Sequence, residues 1–307
     1  MNRALLCALL LVSSSACFNA CALRARAAPD APGGGAGPAP EHAVRFAVVG
    51  DFGVDDAREA AVAKTIASWG PAFVVTTGDD NYPDGERATI DKNVGKHFSA
   101  FIGHYQGAFG KGSEQNRFWP TPGNHDWRGK EGLQPYLDYF TLPGNGRYYE
   151  VALLGGKVHL FALDSDSREP DGATIDSAQA RWAEAAMKAS TACLKVVAFH
   201  HAPYSSARHG STLGMRWPFK EWGADVVFSG HDHAYERAEA GGLPYVVTGL
   251  GGAGTYEFHA AIPESKVRFN DDVGATLVTI TEGQAAIEFW TAGGVRVDRL
   301  ELKKECL

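Results

Sequence analysis

Seven side chains able to ligate metal ions stand in five short motifs, each closing an apolar run. They are Asp51 in Gly50-Asp51-Phe52-Gly53, Asp79 and Tyr82 in Gly78-Asp79-Asp80-Asn81-Tyr82, Asn124 in Gly123-Asn124-His125-Asp126, His200 in Val197-Ala198-Phe199-His200, and His231 with His233 in Gly230-His231-Asp232-His233. Two carboxylates, a phenol, an amide and three imidazoles are donors enough for two cations. A pair of ions about 3.5–4 Å apart can clamp a phosphate and share an activated water, so the chemistry indicated is metal-assisted hydrolysis. Asp51 and, once deprotonated, Tyr82 are hard anionic oxygens that favour Fe(III), with His233 completing that half. Asn124, His200 and His231 suit a divalent ion such as Fe(II), Zn(II) or Mn(II), and Asp79 can bridge the two. A lone aspartate at a strand end is usually a turn former, and a lone buried tyrosine is usually core. The ordered set is what points to a site.

The motifs need a scaffold. Phe46-Ala47-Val48-Val49 reads as a buried strand ending at Asp51, Asp55 to Trp69 carries helical spacing, and Phe73 to Thr77 is a second strand ending at Asp79. Strand, helix and strand with short joins predict a parallel βαβ unit. Residues 84–103 read as mostly helical, and Tyr148 to Asp164 as two strands about Gly155-Gly156. A helix opens at Asp176, Leu194 to Phe199 is a strand, Met215 to Trp222 a helix, and Ala224 to Phe228 a strand ending at His231. Tyr245 to Leu302 is mainly strands. Loops at strand C-termini hold the sites of such sheets, and Asp51, Asp79, His200 and His231 fall there.

Several neighbouring residues take other readings. Only one of the adjacent His200 and His201 can point into a site from an extended strand end. The spacing from Val197 and the interval to His209 favour His200. Asp126 and Asp232 read as supports for nearby ligands, while Asp80 and Asn81 fill variable places in their motif. His42, His97, His104, His159 and His259 have no motif partners and read as surface or structural histidines. Gly249 to Gly254 satisfies G-x-G-x-x-G, but no helical pattern opens after it. Those glycines instead predict backbone passing close to the metal centre.

The chain has 307 residues, 45% hydrophobic and 21% charged, an ordinary globular composition. A formal net charge of -7 argues against a nucleic-acid-binding surface. Arg3, the apolar stretch Ala4 to Val12 and the small residues Ser13 to Ala16 read as a signal peptide over 1–22, with Ala20-Cys21-Ala22 as the cleavage site. Export follows, secreted or periplasmic. A lipid on Cys17 or Cys21 would be the one route to a membrane, although neither follows a convincing lipobox. Residues 23–43 are Ala-, Gly- and Pro-rich and read as a flexible tether, leaving 44–307 as the catalytic domain. Cys193 and Cys306 remain in that part, either paired or both free.

The series GDxG, GDxxY, GNHD, VxxH, GHxH resembles the purple acid phosphatases, within the calcineurin-like metallophosphoesterases. The likeness runs from Phe46 to roughly Thr255. His200-His201-Ala202-Pro203-Tyr204 followed by Arg208-His209-Gly210 is similar to the small tartrate-resistant type. Most calcineurin-like enzymes carry Asp-x-His in the first motif. Here it is Asp51-Phe52-Gly53, with Tyr82 making up the missing histidine as in purple phosphatases. The resemblance implies a four-layer α/β/β/α sandwich of two mixed sheets and hydrolysis of phosphomonoesters by in-line attack of a metal-held hydroxide. It implies Fe(III) on Asp51, Asp79, Tyr82 and His233, and the divalent ion on Asp79, Asn124, His200 and His231. His125 and His209 fall at the family's substrate-binding and leaving-group positions. The alternatives are a phosphodiesterase of the same superfamily and a non-catalytic phosphate- or metal-binding surface protein. The presence of both His125 and His209 argues against a pure binder.

Overall fold

The computed structural model describes Met1, residues 36, 37, 39, 42–304 and 306. The predicted signal peptide and most of the predicted tether lie outside the described residues. In chain order the strands are β1 (Val44–Val49), β2 (Val74–Thr76), β3 (Phe118–Trp119), β4 (Tyr149–Leu153), β5 (Val158–Ala162), β6 (Leu194–His201) and β7 (Val226–Gly230). They continue as β8 (Tyr235–Ala240), β9 (Leu243–Thr248), β10 (Ser265–Phe269), β11 (Gly274–Thr281), β12 (Gln284–Thr291) and β13 (Arg296–Lys303). The helices are α1 (Ala57–Ser68), α2 (Arg87–Ile90), α3 (Lys96–Phe98), α4 (Gln134–Tyr139) and α5 (Ala178–Ala189).

Two mixed sheets form, ordered β13-β12-β11-β1-β2-β3 and β10-β8-β9-β7-β6-β5-β4. The period-2 alternation of each strand divides its side chains between two cores. Phe46 and Val48 of β1 pack against Val196, Ala198 and Phe228 of the second sheet, while Ala47 and Val49 point the other way onto Val62 and Ile66 of α1. Val197 and Phe199 of β6 likewise face Ala183 and Met187 of α5. Helix, sheet, sheet, helix is the layer order, as the resemblance implies. β1 and β2 pair in parallel across α1, so the predicted βαβ unit is present. α1 starts where the Asp56 carboxylate accepts the Arg58 and Glu59 amides, and α5 where Ser177 accepts that of Ala180.

One helical expectation is met and one needs correction. Residues 84–103 are mostly helical, from Arg87 to Phe101, with a π-turn over Asp91–Gly95 and a closing 3₁₀ turn over Ser99–Phe101. Met215 to Trp222 is not a helix: a 3₁₀ turn ends at Met215, and Pro218 then lacks the amide a helix would use. The apolar spacing that suggested a helix instead comes from Trp217, Phe219 and Trp222 packing into the α5 core.

Two features tie the scaffold together near its ends and its site. Cys193, just before β6, is disulfide-bonded to Cys306 beyond β13, which joins the two sheets across a sequence separation of 113. Glu59 is fully buried, and its Oε2 accepts the amides of Val54 at 3.0 Å and Asp55 at 2.6 Å. This fixes the loop that leaves Asp51. Burial pushes the Glu59 carboxyl up to about 8, against the pull of those two amides.

Replacing Cys193 and Cys306 together by Ser is expected to lower the unfolding free energy by about 2–5 kcal/mol, measured by urea denaturation. An unchanged midpoint would contradict a structural cross-link. The Glu59 pKa is raised in the folded state, so its contribution is fully present below 4.5 and is lost as pH rises through about 8. The stability difference between wild type and Glu59→Gln should therefore shrink or reverse across that window, by a few kcal/mol at order of magnitude. A difference independent of pH would rule the assignment out.

Candidate metal centre

The C-terminal ends of the parallel strands of both sheets meet at one edge, and all five motifs lie there. Asp51 follows β1, Asp79 follows β2 and His231 follows β7, each in the left-handed region at φ 57°, 55° and 69°. Asp and His tolerate that region better than most residues, yet each such conformation costs on the order of 1–3 kcal/mol. Close contacts hold them there. A Cβ added at Gly123 would lie 2.3 Å from the Asp79 amide nitrogen, and one at Gly230 would lie 2.4 Å from Asp51 Oδ2. The glycines before Asn124 and His231 are therefore required by backbone approach. Hydrogen bonds join the two sheets at the same place. The Gly50 amide donates to the Thr248 carbonyl at 3.2 Å, and the His231 amide donates to Asp51 Oδ2 at 3.0 Å.

The seven predicted ligands converge in two lobes. In one, Tyr82 Oη lies 3.4 Å from Asp51 Oδ1 and 3.1 Å from His233 Nε2. In the other, His200 Nε2 lies 3.1 Å from Asn124 Oδ1 and 3.2 Å from His231 Nδ1. Asp79 Oδ2 touches both, at 3.0 Å from Tyr82 Oη and 3.3 Å from His200 Nε2. Asp51, Asp79 and His200 each offer a ligand atom within 4.8 Å of the others.

The donor chemistry fits a cation. His200 Nδ1 lies 2.8 Å from the Thr77 carbonyl oxygen, which can only accept, so Nδ1 carries a proton. In the neutral ring Nε2 then turns its lone pair toward the Asn124 and Asp79 oxygens. A proton or a metal ion at Nε2 would turn those contacts favourable. Burial alone would keep His200 neutral, but the charges of Asp79 and Asp51 push it up to about 10. Asp79 falls below the usual carboxylate range, its burial outweighed by His200 and His125. Burial and the neighbouring His200 hold His231 neutral. Burial, with Asp79 and Asp51, raises Tyr82 well above the ordinary phenol, so it stays protonated until a strong cation competes.

The other predicted residues are placed around this cluster. The His125 amide donates to Asp79 Oδ1 at 2.7 Å, and its ring leans on Tyr82 at 4.4 Å. The His209 ring stacks on His231 at 4.2 Å. His201 rests its ring on His231 at 4.5 Å and its Nδ1 meets the Ser165 hydroxyl at 2.8 Å, while His200 Nε2 faces the Asn124 and Asp79 oxygens. Asp126 accepts the amides of Asp80, Asn81 and Gly123, and Asp232 accepts the His209 amide and the Ser205 hydroxyl. Both support neighbouring loops, as expected. A Cβ at Gly249 would lie 2.8 Å from Asp51 Oδ2, so that glycine run does pass beside the cluster.

Three partners escaped the sequence. Asp80, read as variable, is buried and accepts the Thr76 hydroxyl. Tyr256 lies flat on the His233 ring at 4.0 Å, and Glu236 binds the Ser206 hydroxyl and amide at the base of the His209 loop. Neither belongs to a motif. Tyr256 follows the glycine run that passes the site, the one local hint of its place.

A family model described as calcineurin-like phosphoesterase matches residues 44–235. Purple acid phosphatase 7 of Arabidopsis thaliana is 24% identical over 290 residues, 84% of this chain and 86% of the relative. Tartrate-resistant acid phosphatase type 5 of Mus musculus is 24% identical over 87% of this chain and 93% of the relative. Among solved structures, purple acid phosphatase PPD1 from yellow lupin seeds aligns with a TM-score of 0.65 at 16% identity, over 88% of this chain and 55% of that one. GAP50, the anchor in the inner membrane complex of Plasmodium, aligns with a TM-score of 0.66 at 17% identity, over 85% and 89%. These two likenesses establish the fold alone. The family match spans every candidate donor motif on the strand ends described above, and this chain belongs to the calcineurin-like phosphoesterase family.

Proposed function

We propose that the protein is a dinuclear-metal phosphatase that hydrolyses phosphomonoesters and is purple acid phosphatase-like. The observation that carries this reading is the two-lobed donor cluster joined through Asp79 Oδ2. Asp51, Asp79, Tyr82 and His233 would hold Fe(III), and Asp79, Asn124, His200 and His231 a divalent Fe, Zn or Mn. Ions held there would supply charge against the phosphoryl group and an acidified water as nucleophile. The Tyr82 phenol belongs with the trivalent ion because two carboxylates and burial oppose its ionisation. Thr77 fixes the tautomer of His200. His125, held by Asp79, would contact the phosphoryl oxygens, and His209 would give the leaving oxygen its proton.

The fold does not by itself choose between enzyme and scaffold, since GAP50, which shares it, is an anchor in a membrane complex. The donor side chains of this chain favour the enzyme. A diester could use the same clamp with one charge fewer, and this is the competing enzymatic reading. Export is part of the proposal: the Cys193–Cys306 disulfide is what an oxidising compartment favours, and no helix among the described residues is long and apolar enough to cross a membrane. The 44–307 segment would be the catalytic domain beyond a signal peptide and tether.

The deciding experiment pairs metal analysis with hydrolysis of an aryl phosphate and its bis-aryl diester. Monoester turnover with two bound ions is expected. Diester turnover alone would favour the competing reading, and no turnover by the metal-loaded protein would favour a binder. His200→Ala should lose bound metal while His201→Ala keeps it. Tyr82→Phe should lose the visible phenolate-to-iron band of the oxidised protein. A colourless active enzyme holding only zinc or manganese would exclude Fe(III).

The leaving-group role of His209 has its own signature. An acidic phenol leaves unaided, whereas an alkoxide needs a proton. His209→Ala should lower kcat/KM on alkyl phosphates by roughly 10²–10⁴-fold and on activated aryl phosphates far less, with metal content intact. His125→Ala should impair both substrates evenly. Equal small effects of His209→Ala on the two esters would reject the role.

A further inference from the structure

The rim of the cluster carries a cation that the reaction above does not use. Arg208 precedes His209 and is exposed, and its guanidinium carbon stands 5.0 Å from the centre of the Tyr256 ring. Tyr256 lies on the His233 ring at 4.0 Å with the planes 6° apart, and edge-on to His209 at 5.3 Å. Arg208 is thus one aromatic layer out from a predicted ligand and beside the histidine assigned to the leaving oxygen. Among the described residues its guanidinium has no carboxylate partner, and Glu257, next to Tyr256, does not pair with it. The acid beneath this loop, Asp232, is already engaged by Ser205 and the His209 amide.

Arg168 near Asn124 makes the contrast. Its Nε and Nη2 both lie 2.7 Å from Asp166, and Nη2 also lies 3.0 Å from the Asn124 carbonyl oxygen. That arginine is committed to structure. A ring face holds a guanidinium in place without using its N–H donors, so those of Arg208 remain available for a bidentate anion.

We propose that Arg208 selects phosphomonoesters whose leaving group carries a second anionic group, a phosphate or a carboxylate, a few bonds from the scissile phosphate. This rests on the phosphatase reading. With the scissile phosphate at the donor cluster and its ester oxygen at His209, the leaving group runs out along Tyr256 toward Arg208. A second anion there meets an unpaired guanidinium, while a neutral leaving group meets only the ring.

The test uses the metal-loaded full chain on three matched aryl phosphates: plain, carboxylate-bearing and bearing a second phosphate. Binding of inorganic pyrophosphate and orthophosphate is measured by calorimetry alongside. Wild type should favour the anion-bearing substrates by about 10-fold in kcat/KM, mainly through KM, the low end for charge-assisted hydrogen bonds at an exposed rim. The preference should fall as ionic strength rises. Whichever of the two anion-bearing arms shows the larger preference identifies the second group. Arg208→Met keeps a side chain on the Tyr256 ring, yet should cut both the substrate preference and the pyrophosphate-over-orthophosphate preference by about 10-fold. Arg208→Lys should restore part of each. An equal loss on all three substrates, or no change in either preference, overturns the proposal. If wild type hydrolyses none of the three, the phosphatase reading fails, and the calorimetric ratio alone then decides whether Arg208 selects a second anion.

Discussion

The contacts at Asp79 govern how the strand ends of the two sheets come together. One carboxylate oxygen faces the phenol of Tyr82 and the imidazole of His200, and the Thr77 carbonyl leaves His200 little choice of tautomer. Tyr82 donates its hydroxyl to that oxygen, His200 Nε2 faces it, and Asp79 and His200 are buried. The charges of Asp79 and Asp51 favour a proton on His200, which is why its pKa rises although burial opposes it. A cation among these groups would be favoured by the same charges.

Holding such a cluster is expensive for the backbone. Asp51, Asp79 and His231 all sit in the left-handed region, and the glycines beside them leave no room for a side chain. The inter-sheet core supplies the stabilisation. Phe46, Val48, Val196 and Phe228 bury their side chains between the sheets, and each is worth roughly 1.5–3 kcal/mol. The strained loops are thus the outlet of a well-packed sandwich. Strain of this kind persists only where the surroundings over-determine it.

A second layer of buried carboxylates surrounds the first. Glu59, Asp126, Asp232 and Glu236 all accept backbone amides in loops that carry site residues. Each fixes a loop by binding its orphan N–H groups, which a buried loop cannot leave unpaired. Acids are suited to this because one carboxylate can gather two or three amides. Their raised pKa values at Glu59, Asp126 and Asp232 reflect burial first.

The candidate donor motifs were legible in the sequence because each is local: a donor type, a glycine and an apolar strand before it. The strands themselves gave the parallel βαβ unit, and the layer order was what the resemblance carried by the motifs implied. Helix limits were less legible. Met215 to Trp222 has apolar spacing that suits either a helix or an aromatic turn, and Pro218 decided against the helix. The types of the candidate donors, their order and their place at strand ends can be read along the chain. That Cys193 pairs with Cys306, and that Tyr256 and Arg208 stand at the rim, emerges only in the folded chain. The reason is physical: these are contacts between segments far apart along the chain, set by how the two sheets meet, and no local propensity encodes them.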